Sequence, residues 1–194
     1  MSRRAIPILI VVAAVTAAAF GYLYLNPGLT GPAAVPIGGP IRLTDQDGKA
    51  FDSASLDGKP YAVFFGFTNC PDACPTTLNE MARVEDEIGA PAKDFTTLFV
   101  TVDPERDTPA VLKEYLTNFG GKTIALSGTP EQVAQVAKEY RVYYKKVPTS
   151  DGGYTMDHTA VLYLMGPKGE FRDVIASNED HDRYVVKIKK LLTE

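Results

Sequence analysis

Twenty consecutive residues from Ile6 to Leu25, IPILIVVAAVTAAAFGYLYL, carry no charge. As a helix such a run is about 30 Å long, the hydrocarbon thickness of a bilayer. Pro7 falls in its first turn, where a missing N–H does no harm. Tyr22 and Tyr24 fall near its far end, where rings with a polar tip favour the membrane interface. Arg3 and Arg4 precede the run, and the next charge is Arg42. This asymmetry puts the N-terminus in the cytoplasm and the rest of the chain across the membrane. Ala17 and Ala19 also offer a small-residue cleavage pattern, so the run reads as an anchor or as a signal peptide. Both readings export the remainder of the chain. The sequence divides into 1–25, an N-terminal membrane anchor or uncleaved signal; 26–40, NPGLTGPAAVPIGGP, an uncharged Pro/Gly spacer; and 41–194, a domain.

The exported part carries 18 basic and 24 acidic residues. That balance excludes a basic nucleic-acid footprint and gives no electrostatic pull toward anionic lipid. With 2 cysteines and 2 histidines in the whole chain, a disulfide framework, a four-cysteine zinc site and a multi-histidine centre are excluded too.

Within 41–194, short apolar runs alternate with helical periodicity. A hairpin from Ile41 to Leu56 turns at Asp47-Gly48. Strands are expected at Tyr61–Phe67, Phe95–Val102 and Thr123–Leu126. Helices are expected at Pro75–Ile88, Pro109–Phe119 and Pro130–Tyr140, the second with Thr108 as N-cap. A polar hairpin, Val142–Met156, turns near Asp151-Gly152-Gly153. Strands Ala160–Met165 and Phe171–Ile175 come next, then a helix from near Asn178 with Tyr184, Val185, Ile188, Leu191 and Leu192 on one face. This order predicts an α/β domain with parallel strands at the centre of its sheet.

Both cysteines lie in one loop, Phe67-Thr68-Asn69-Cys70-Pro71-Asp72-Ala73-Cys74-Pro75. The loop leaves a buried strand and opens a helix, so it stands at the carboxyl edge of the sheet, where α/β proteins place their sites. The pattern puts Cys74 at the N-cap, where helix N–H groups favour a thiolate. A structural disulfide in so small a ring would add only about 2 kcal/mol. The Cys-x3-Cys spacing fits a two-thiolate metal site, or a dithiol that cycles with a disulfide. Two soft thiolates suit Cu(I). His158, just before the strand Ala160–Met165, is the candidate third donor, with Asp157 or a backbone carbonyl fixing its tautomer. Met156 is a further sulfur donor in the hairpin. Met81 lies on an apolar helix face and reads as core. His181, in Glu179-Asp180-His181-Asp182, reads as a solvated surface residue.

Three blocks in order, Gly66-Phe67-Thr68-Asn69-Cys70-Pro71-Asp72-Ala73-Cys74-Pro75, Val100-Thr101-Val102-Asp103-Pro104-Glu105-Arg106-Asp107-Thr108-Pro109 and Asp157-His158-Thr159, give a chain that resembles the Sco/SenC family over residues 36–194. These are membrane-anchored, thioredoxin-like copper chaperones of cytochrome c oxidase assembly. The resemblance implies a thioredoxin-like α/β fold with a central mixed sheet flanked by helices, an N-terminal hairpin and one N-terminal transmembrane helix. It implies copper, as Cu(I) and/or Cu(II), on Cys70, Cys74 and His158. It implies the CuA-bearing oxidase subunit, or its assembly factors, as partner. The expected location is the bacterial inner membrane, single-pass, with the domain in the periplasm. The family's acidic strand-end position maps to Asp103, which reads either as a residue that tunes the thiols or contacts a partner, or as a turn-initiating Asp before Pro104.

Two related groups share this kind of fold. Thioredoxins carry a cis-proline where this chain reads Asp157-His158-Thr159, and peroxiredoxins carry Thr or Ser three residues before their cysteine, where this chain has Phe67 or Pro71. Both departures favour a metal carrier over an enzyme. A thiol–disulfide oxidoreductase that reduces the cysteines of an apo metal site, and a copper or redox sensor, stay open as alternatives.

Overall fold

The computed structural model describes residues 5–25, 36–56 and 58–193. The chain forms two compact units, Met1–Pro36 and Ile37–Glu194. In the first, α1 (Ala5–Leu25) is a helix of 21 residues with no acidic first turn and no basic last turn. Val11, Phe20, Tyr22 and Leu25 on it are exposed. Among the described residues, no helix is long and apolar enough to cross a membrane. The expected transmembrane helix is therefore not found among them. Arg3, Arg4 and the expected spacer as far as residue 35 lie outside the described residues.

In the second unit a hairpin of β1 (Arg42–Asp45) and β2 (Ala50–Asp52) leads to β3 (Tyr61–Gly66), α2 (Ala73–Ile88), β4 (Thr96–Thr101), α3 (Pro109–Leu116), β5 (Thr123–Ser127) and α4 (Pro130–Glu139). Then come β6 (Tyr144–Pro148), β7 (Tyr154–His158), β8 (Val161–Met165), β9 (Phe171–Ala176) and α5 (His181–Leu191). The main sheet has the order β2-β1-β5-β4-β3-β8-β9, and β6-β7 pair separately. β3, β4 and β5 run parallel. β1 and β8 flank them antiparallel, so the sheet is mixed around a parallel centre.

All six residues of β3 are buried. A strand covered on both faces loses the in–out alternation of hydrophobicity and reads as a continuous apolar run. Its side chains still alternate in direction. Phe64 meets Phe99 of β4 at 6.2 Å, and Phe99 meets Tyr115 of α3 at 5.8 Å. Phe65 points the other way, to Tyr140 at the end of α4, at 5.4 Å. α2 buries Leu78, Met81 and Val84 at helical spacing, and α5 lies against it through a face that buries Tyr184, Val185, Ile188 and Leu191. Each such side chain contributes about 1.5–3 kcal/mol on burial.

The starts of the two crossover helices are fixed locally. Thr108 accepts the N–H of Val111 ahead of Pro109, and Thr129 forms a reciprocal capping box with Gln132 ahead of Pro130. Gly66 lies opposite Thr101 in the β3–β4 register, so the loops leaving these strands emerge side by side at the carboxyl edge.

Several boundaries differ from expectation. α2 begins at Ala73, with Asp72 and not Cys74 at its N-cap. Pro75 is still tolerated, because the first four N–H groups of a helix have no partner within it. α3 ends at Leu116, ahead of Gly120-Gly121, where Gly121 takes φ 81°. α5 begins at His181, with Asp180 at the N-cap. β7 reaches His158, which therefore belongs to a strand.

Candidate functional site

Cys70 and Cys74 sit at the start of α2, and both are free thiols. The N–H of Cys74 donates to Cys70 Sγ at 3.4 Å. The hydrogen bond from the Cys74 thiol is the main influence on Cys70; the backbone N–H groups of Asp72 and Cys74 and the nearby His158 add to it. Together they outweigh partial burial and hold the Cys70 thiol down to about 5. The shift favours the thiolate at Cys70. Cys74 is pushed far upward, first because its proton is engaged by Cys70, then by burial and by the Cys70 charge. Cys74 does not stand at the N-cap position expected of it, and its N–H points to the Cys70 sulfur instead. The helix starts two residues before Pro75, and Cys70 takes the place of an anion at its open end.

Around the cysteines, close packing and a buried carboxylate hold the loop. A Cβ built on Gly66 would lie 2.7 Å from Cys74 Sγ and 2.6 Å from the Phe99 ring, so only glycine lets the sulfur approach β3. Asp107, 1% exposed, accepts from the Thr68 N–H at 3.0 Å, the Thr68 hydroxyl at 2.6 Å and the Thr101 hydroxyl at 2.5 Å. It ties the cysteine loop to the end of β4. Burial raises the Asp107 carboxyl above the usual range, opposed by its bonds to Thr101 and Thr68.

His158 enters from β7, opposite Tyr144 of β6. Its Nε2 stands 3.8 Å from Cys74 Sγ. Its ring meets Phe67 edge-on, with centroids 5.5 Å apart and an interplanar angle of 88°. A metal with bonds of about 2.3 Å to sulfur and about 2.0 Å to nitrogen separates those atoms by roughly 3.5–3.7 Å at tetrahedral to trigonal angles. The Cys74–His158 pair has nearly that spacing. Among the described residues, no group of three His, Cys, Asp or Glu side chains is arranged to hold a metal ion. Cys70–Cys74 and Cys74–His158 are two close pairs that share one sulfur.

The remaining candidates fall elsewhere. Asp157 is exposed, and as the neighbour of His158 in a strand it points to the opposite face, so it does not orient the imidazole. Met81 and Met156 are buried in the core, at 0% and 6% exposure. His181 is not merely a solvated residue. Its Nδ1 contacts Glu80 and its Nε2 lies 2.8 Å from Glu87 Oε2, which fastens α5 to α2. Asp103 lies at the same sheet edge as the cysteines, but its carboxylate is taken by Arg106 Nε and by the Tyr154 hydroxyl, the latter at 2.9 Å. The sequence motifs contain Gly66, Thr68, Arg106 and Asp107 but assign them no role, and Tyr154 lies outside those motifs. A glycine ending a buried apolar run is the one signal that marks a close approach in advance.

A mixed sheet with a thiol pair at the carboxyl end of its central strand, opening a helix, defines a thioredoxin-like domain with a redox-capable or metal-capable dithiol. The SCO1/SenC family model matches residues 30–193, and the chain belongs to that family. It is 43% identical to the human mitochondrial SCO1 homolog over 146 residues, covering 74% of this chain and 48% of the relative. It is 41% identical to an SCO2-like protein of Rickettsia prowazekii over 139 residues, covering 71% and 68%. The chain thus spans about half the length of the human relative. Among solved structures, copper-bound ScoI of Bradyrhizobium japonicum superposes with a TM-score of 0.74 at 48% identity, covering 80% of this chain and 99% of that one.

Proposed function

We propose that this chain is a copper carrier in which Cys70, Cys74 and His158 hold the ion. The observation that carries the reading is the 3.8 Å approach of His158 Nε2 to Cys74 Sγ, beside a Cys70 sulfur that accepts the Cys74 N–H at 3.4 Å. Soft sulfur donors favour Cu(I), and the imidazole also accommodates Cu(II). Copper in the similar ScoI structure supports the same cargo here. Oxidation of the two thiols to a disulfide removes both sulfur donors, so loading depends on redox state.

The further reading is that residues 6–25 anchor the domain to the bacterial inner membrane and face it to the periplasm. There it serves assembly of the CuA centre of cytochrome c oxidase, with the CuA-bearing subunit or its assembly factors as partner. The uncharged run behind Arg3 and Arg4 supports the anchor. A thiol–disulfide oxidoreductase is the second reading. The unequal thiols favour it, with Cys70 ionised and partly exposed as the attacking sulfur and Cys74 protonated and buried as the resolving one.

Copper titration of the reduced full chain, parent against His158→Ala, tests the carrier. Weaker binding and altered thiolate-to-copper absorption in the variant support it. Unchanged affinity and spectrum remove His158 from the site. Reduction of a disulfide substrate by metal-free protein, unaffected by His158→Ala and accompanied by poor copper affinity, favours the second reading.

A further inference from the structure

We infer that Tyr154, gripped by Asp103 and Arg106, is the positioning residue that sets His158 against Cys74; the inference rests on the carrier reading for its consequence in copper binding. β7 presents Tyr154, Met156 and His158 to one face, because side chains alternate along a strand. Its pairing with β6 makes a two-stranded sheet outside the main one. Such a ribbon is marginal by itself, and its placement depends on what it is fastened to.

Met156, buried in the core, and the Lys146–Glu105 ion pair hold the ribbon in part, and Tyr154 adds the densest set of polar contacts. Its hydroxyl donates to Asp103 Oδ1 at 2.9 Å, and its carbonyl accepts from Arg106 Nη1 at 2.9 Å. The Arg106 guanidinium lies 3.8 Å above its ring, and Lys146 Nζ of β6 lies 4.8 Å from the ring centroid. Arg106 is itself ion-paired through Nε to Asp103. Asp103 is 1% exposed, and its N–H donates to the Thr101 hydroxyl at 2.9 Å. The anchor therefore belongs to the end of β4, in the main sheet. Four strand residues at about 3.3 Å each separate Tyr154 from His158 by roughly 13 Å. One end of the ribbon is tied to the sheet, and the other lays the imidazole on the sulfur.

Tyr154→Phe removes one hydroxyl and keeps the ring. In the reduced, metal-free full chain, the imidazole NMR resonances of His158 (assigned with His158→Ala) move or broaden in this variant, while those of His181 stay. In copper titration the same variant loses affinity, by no more than the roughly 10-fold that marks the lower end for groups bonded directly to a ligand. Combined with His158→Ala it loses nothing further. Arg106→Lys, which keeps the charge and loses the planar fork, acts in the same direction. Unmoved His158 resonances overturn the inference. So does an equal copper loss from Tyr154→Phe in the parent and in the His158→Ala background, which marks a merely structural role. If His158→Ala alone leaves copper binding intact, the carrier reading of His158 fails, and the imidazole resonances decide the positioning role by themselves.

Discussion

The Cys74 sulfur and the His158 imidazole, 84 residues apart in the chain, stand 3.8 Å apart in the fold. Two elements bring them together. The first turn of α2 buries Cys74 against β3, and the separate β6–β7 ribbon carries His158. With the imidazole as a direct donor, His158→Ala lowers copper affinity by more than the roughly 10–100-fold that loss of an outer partner costs. Competition with a coloured copper chelator measures the change, and a thermal midpoint near that of the parent shows that the fold is intact.

The two thiols react unequally. Alkylation of the reduced, metal-free chain rises at Cys70 with a midpoint near pH 5, while Cys74 stays protected through neutral pH. Mass spectrometry of the alkylated peptides over a pH series reads both. The folded Cys70 thiol lies below the unfolded value of about 8.5. Its thiolate therefore contributes stability that is complete above that value and is lost as pH falls through about 5. Cys74, shifted upward, acts in the opposite sense at alkaline pH.

Gly66→Ala places a methyl group 2.6 Å from the Phe99 ring and 2.7 Å from Cys74 Sγ. Both neighbours are fully buried, so the strain cannot be relieved toward solvent. Overpacking of this kind destabilises by about 1–3 kcal/mol. Urea denaturation shows the loss. Copper affinity falls with it, because Cys74 is the group pushed aside.

His181 bridges Glu87 and Glu80 of α2 through its two ring nitrogens, an arrangement that suits the doubly protonated ring. Arg83 and Lys189 flank the same carboxylates. The bond to Glu87, then that to Glu80, raises the imidazole above its ordinary value. A raised folded value contributes stability that is fully present below the unfolded value of about 6.5 and is lost as pH rises through the folded one. The difference in urea midpoint between the parent and His181→Gln is therefore largest in mild acid and shrinks at alkaline pH. A difference independent of pH contradicts the ionic bridge.

Much of this architecture is written in local pattern. Tyr61–Gly66 is apolar throughout because both its faces are covered, and Thr108-Pro109 and Thr129-Pro130 start helices through caps that need no tertiary context. The same logic places the cysteine loop at the sheet edge. The charge on the thiols is not legible in that pattern. It turns on the helix beginning at Ala73, and on which N–H groups reach which sulfur. Asp103 reads either as a residue that tunes the thiols or contacts a partner, or as a turn residue before Pro104; its partners Arg106 and Tyr154 become visible only when the loop meets β7. Asp107 and Thr68 lie 39 residues apart, and no short-range pattern joins them.

On the carrier reading, the proton retained on Cys74 has a consequence for traffic through the site. Any cation that engages both sulfurs must expel it, so uptake of the ion releases acid and acidification drives the ion off. While Cys74 alone is the proton lost, occupancy at fixed ion supply shifts by about tenfold in affinity for each pH unit. On the carrier reading, the load thereby follows the acidity of the surroundings as well as their oxidising power.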